Sequence, residues 1–125
     1  MIRTYFSVAS ANVQDHRHGE AWVLYQKVET LARHFNGYDH IRVAAACFSS
    51  AVCQMVNKER VPDVQKVLAD AKESYRICCQ NDSDEKVAVL REKSYNMVQR
   101  LILFIDNVEL DASAPVLKIQ RSRPN

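Results

Sequence analysis

Apolar residues recur along most of the chain at the three- and four-residue spacing of helices with one buried face. In the first such stretch Ala21, Leu24, Tyr25, Val28, Leu31, Ala32 and Phe35 fall on one side at 100° per residue. That helix starts between Asn12 and Gly19 and ends at Asn36-Gly37, a pair suited to a helix C-terminus. Asp39 is placed to cap a second helix, whose predicted stripe is Ile41, Ala44, Ala45, Phe48, Ala51, Val52, Met55 and Val56. Pro62 suits the first position of a third, with Val64, Val67, Leu68, Ala71, Tyr75 and Cys78 turned inward. Asp82 and Glu85 form a capping box for a fourth, striped by Val87, Leu90, Ser94, Met97, Val98, Leu101, Ile105 and Val108.

Four helices joined by short turns predict an all-α, antiparallel four-helix bundle over residues 13–110, in a single domain spanning 1–125. The ends read differently. Ile2 to Val8 is rich in β-formers and Val116 to Gln120 alternates. An extended segment over 1–12 and an extended tail over 111–125 are therefore expected, able to pair as short strands within or between chains.

The second predicted helix carries no charge between Arg42 and Lys58, and its small residues go all round. A helix apolar on every side is enclosed by neighbours. The alternative is a partner interface on its back face, around Val43, Cys47, Ser50 and Cys53. Other apolar residues fall off the stripes: Trp22, Val23, Ile77, Val89 and Leu103, with Phe104 beside the last. A cluster of such residues marks an interaction surface, with Trp22 its natural anchor by residue type.

Composition narrows the functional classes. With 125 residues there is room for one core, and 2 Gly and 3 Pro are too few for a β-sandwich or barrel. A net charge of +2 is too near balance to announce a nucleic-acid or membrane partner. No apolar run reaches the roughly 20 residues of a membrane span, and the first residues lack the apolar core of a secretory signal. Cys47, Cys53, Cys78 and Cys79 match neither a disulfide framework nor a zinc-finger spacing. Small, reduced, mostly buried thiols in a cytoplasmic protein are the expectation.

Candidate chemistry is sparse. His16 and His18 are weak metal candidates, since His-x-His places two imidazoles near each other but no spaced Cys or His partners follow. Arg33-His34 followed by His40 makes an Arg-x6-His pattern. This resembles the signature of the HEPN family of small helical ribonucleases and nucleotide-binding domains. The resemblance implies that Arg33 polarises a phosphate and His40 acts as acid or base. The pattern departs from the family by straddling the break between the first two helices. No phosphate-binding glycine loop, serine-hydrolase elbow or metalloprotease motif is present. No cofactor is expected. The leading expectation is a non-enzymatic protein-binding module (adaptor, assembly chaperone or inhibitor) that self-associates, with a dimer favoured. The alternatives are the ribonuclease and a structural subunit of a viral or phage assembly.

Overall fold

The computed structural model describes the backbone of residues 2–81 and 84–113, and side chains up to residue 107. It is all-helical, with five helices: α1 (Ile2–Gln14), α2 (His18–Asn36), α3 (Ile41–Val56), α4 (Val64–Gln80) and α5 (Glu85–Ser113). There is one helix more than the periodicity predicts. Residues 2–12 are not extended but form α1. The β preference of Ile2, Tyr5, Phe6 and Val8 is outweighed by packing, because Phe6, Ala9 and Val13 sit on one helix face against Ala21 and Tyr25. A strand pairing that uses the N-terminal segment is thereby excluded. Residues 111–113 continue α5, and the rest of the expected C-terminal tail lies outside the described residues.

Local chemistry explains the helix boundaries. Gly37, at φ 94°, closes α2 by donating its N–H to the Arg33 carbonyl. His40, not Asp39, caps α3, its Nδ1 accepting from the N–H of Arg42 at 3.1 Å. Asp39 instead takes the Arg76 guanidinium at 2.9 Å, and its carbonyl accepts from Asn81. The α2–α3 turn is thus tied to the end of α4. Asp63 caps α4, with Pro62 just outside it, and Asp84 caps α5 by accepting from the N–H of Val87. Asp82 lies outside the described residues.

Each helix packs chiefly on the next in sequence, with a smaller contact between α3 and α5. The first and last helices of a closed bundle would meet; here consecutive helices zigzag instead. Arg33 of α2 reaches Glu73 of α4 at 3.8 Å, so α2 and α4 lie side by side over α3. Clefts join α1 to α3 and α3 to α5. The result is two layers, α2 and α4 against α1, α3 and α5, with α3 at the centre.

That position decides which face of α3 is inside. Val43, Ala44, Ala46, Cys47, Ser50, Ala51 and Cys53 are buried. Phe48, Val52 and Met55 are only half-buried, and Val56 is exposed. Of the expected stripe only Ala44 and Ala51 are fully buried, and the expected back face, Val43, Cys47, Ser50 and Cys53, is core, not interface. A helix flanked closely by two others needs small residues where they approach, and α3 supplies them. On α4 and α5 the predicted stripes largely stand: Val67, Leu68, Ala71, Cys78, Val87, Ser94, Val98 and Leu101 are buried. Phe35 of the α2 stripe is 69% exposed.

Candidate functional site

The outward face of α3 presents Ala45, Phe48, Ser49, Val52 and Met55, all half-buried and none charged. Between α3 and α5 it opens into a cleft of about 430 Å³, floored by Phe48, Val52, Met55 and Met97 and rimmed by Lys93 and Arg100. A second cleft, of about 340 Å³, lies between α1 and α3 beside Ile2, Phe6 and Ala45, with Arg3 and Arg42 on its edge. No carboxylate lines either cleft. The surface combines apolar floors with basic edges.

The residues predicted to form an interaction surface divide into three groups. Val89, Leu103 and Phe104 are exposed on α5. Phe104 lies one and two turns beyond Arg100 and Met97, on the side of the helix that faces the cleft. Trp22 and Val23 lie elsewhere, on α2. Val23 is exposed, while Trp22 is half-buried in a cleft of about 230 Å³ with Gln54, Asn57 and Val61. Lys66 and Arg60 stand 4.9 and 5.8 Å from its ring centroid, as cation–π partners. Ile77 does not belong to any surface. It is 0% exposed, packed with Ala32, Val43, Ala44, Cys47, Cys78 and Val87. Its position between Ser74 and Cys78 turns it toward α3.

A polar network that no sequence spacing announced fills the junction of α2, α3 and α4. The Cys47 thiol donates to Glu29 at 3.3 Å, and Arg33 pairs with both Glu29 and Glu73. Gln54 donates to Asp70 at 3.1 Å. Burial, then the charge of Glu29, raises the Asp70 carboxyl to about 6. Burial, followed by Glu29, pushes the Cys47 thiol far above its ordinary value. It is a neutral donor, not a nucleophile. Donor atoms of Glu29, Cys47 and Asp70 lie within 4.8 Å of one another, the one such trio among the described residues. The Arg33 guanidinium, 4.0 Å from the thiol, already supplies the positive charge that this trio attracts.

The histidines are not drawn into that network. His16 occupies the left-handed region, at φ 61°, and its ring meets that of His18 edge-on with centroids 6.0 Å apart. Neither belongs to a convergent donor trio. Arg33 is engaged by Glu29, Glu73 and the ring of Tyr38, whereas His40 serves as a helix cap. The two share none of these contacts. All four cysteines are free thiols, with Cys47, Cys53 and Cys78 buried and Cys79 exposed. No described helix is long and apolar enough to cross a membrane. No protein-family model, curated protein or solved structure matches the chain.

Proposed function

We propose that the chain is a non-enzymatic protein-binding module, an adaptor or inhibitor that acts by covering part of its partner. The observation that carries this reading is the outward face of α3. From Val43 to Asn57 the helix has no charge, yet Phe48, Val52 and Met55 are left half-buried at the floor of a groove. Apolar side chains gathered on the floor of a concave groove gain by burial against a partner. Val89, Leu103 and Phe104 extend the apolar surface onto α5. Val89 and Leu103 lie on the outer line of the last helix of the stack, which suits an isologous pairing of two copies. The free buried thiols fit a reducing cytoplasmic setting.

Affinity capture from the native host with wild-type protein and with Val52→Asp tests the reading. The proposal expects a stoichiometric partner with the wild type and its loss with Val52→Asp, at unchanged helicity by circular dichroism. Equal recovery by both proteins removes the α3 face from the binding surface.

A further inference from the structure

We infer that the α3–α5 groove receives an amphipathic helix of the partner whose apolar face is bordered by carboxylates. The inference rests on the docking reading above and adds the chemistry of the occupant. Lys86, Lys93 and Arg100 recur every seven residues, which keeps them on one side of α5. All three are exposed, and Lys93 and Arg100 line the groove itself. None of them takes part in an ion pair among the described residues. From Lys86 to Arg100 this basic rail runs about 21 Å at 1.5 Å per residue, the length of roughly four helical turns. No carboxylate lines the groove, and Glu29, Asp70 and Glu73 lie around the α2–α4 junction instead.

Shape selects the class of partner. The apolar floor of Phe48, Val52, Met55 and Met97 is recessed, while Lys93 and Arg100 stand exposed above it. A helix roughly 10–12 Å across enters such a groove, whereas the flat surface of a bilayer meets the basic rim first. Charge rejects the chain's own candidates. A second copy pairing groove to groove would set Lys93 and Arg100 against their equals. Residues 114–125 carry Lys118, Arg121 and Arg123 and no acid, so they oppose the same rim. The occupant is an acidic helix from another protein.

The test uses two fluorescein-labelled 16-residue helical peptides, each with leucines on one face, bordered in one by glutamates and in the other by lysines. Fluorescence anisotropy should show the acidic peptide binding about tenfold or more tightly than the basic one, with the difference shrinking as salt rises. The double substitution Lys93→Glu and Arg100→Glu, at exposed positions that leave the core untouched, should reverse that preference. Val52→Asp should weaken both peptides. Equal affinity for the two peptides, still sensitive to Val52→Asp, overturns the acidic occupant while leaving the docking face in place. Binding of neither peptide overturns the helix-in-groove assignment. Co-sedimentation with phosphatidylserine vesicles that is lost on the Lys93→Glu, Arg100→Glu reversal would assign the face to a membrane and overturn the inference.

Discussion

Ser74 of α4 and Ser94 of α5 meet through their hydroxyls at 2.8 Å, and both are fully buried. Each hydroxyl satisfies the other where the two helices cross, and their small size lets the backbones approach. Replacing either serine by alanine leaves its partner buried and unpaired, at a cost of about 1–3 kcal/mol. Replacing both removes the unsatisfied group, so the double variant should be more stable than the sum of the single changes predicts. Urea unfolding of the four proteins measures this directly.

Asp70 makes a second prediction, one of sign. Its carboxyl is raised from 3.8 to about 6 in the folded chain, so the folded state holds the proton more tightly than the unfolded state. The associated stability is fully present below about pH 4 and is lost as pH rises through about 6. Asp70→Asn should therefore stabilise the protein at pH 7.5 relative to wild type, by an amount on the order of 1–2 kcal/mol after solvent screening. The advantage should vanish at pH 4. Paired unfolding curves at the two values check it.

Thiol accessibility gives a third. Burial raises Cys47 and Cys78 and pushes Cys53 up to about 11, while Cys79 is exposed. A maleimide should label one thiol in the native protein, at Cys79, and all four after unfolding. Cys79→Ser should abolish the native labelling.

The same reagent reports on α1. Cys53 is packed in the cluster of Ala9, Ala21 and Tyr25, which α1 covers with Phe6 and Val13. Deleting residues 2–14 should expose Cys53 and raise the number of native labelled thiols from one to two. An unchanged count would mean that α1 does not cover this part of the core.

These residues also show what periodicity can and cannot disclose. On α5, Val87, Ser94, Val98 and Leu101 alternate with charged positions, so only one face can be buried and the stripe is legible. On α3 both faces are apolar, and hydrophobicity alone cannot choose between them. Size does, because small residues belong where helices approach closely, and this turns Phe48, Val52 and Met55 outward. On α1 the β-forming residues conceal a helical face made by Phe6, Ala9 and Val13. Of the candidate surface, Val89, Leu103 and Phe104 were visible as apolar residues off the stripe. Ile77 also falls off its stripe yet is core, because α4 buries a wider arc than its stripe suggests. The Glu29–Cys47–Asp70 network draws one residue from each of three helices, and no local spacing encodes it.

Site-specific photo-crosslinking in the native host tests the central claim most directly. A benzoylphenylalanine placed at Val52, on the floor of the α3–α5 groove, is compared with one at the exposed Gln65 of α4. The account predicts a discrete adduct with a second protein from position 52 and none from position 65. Adducts from position 65 alone, or from neither position, would contradict it.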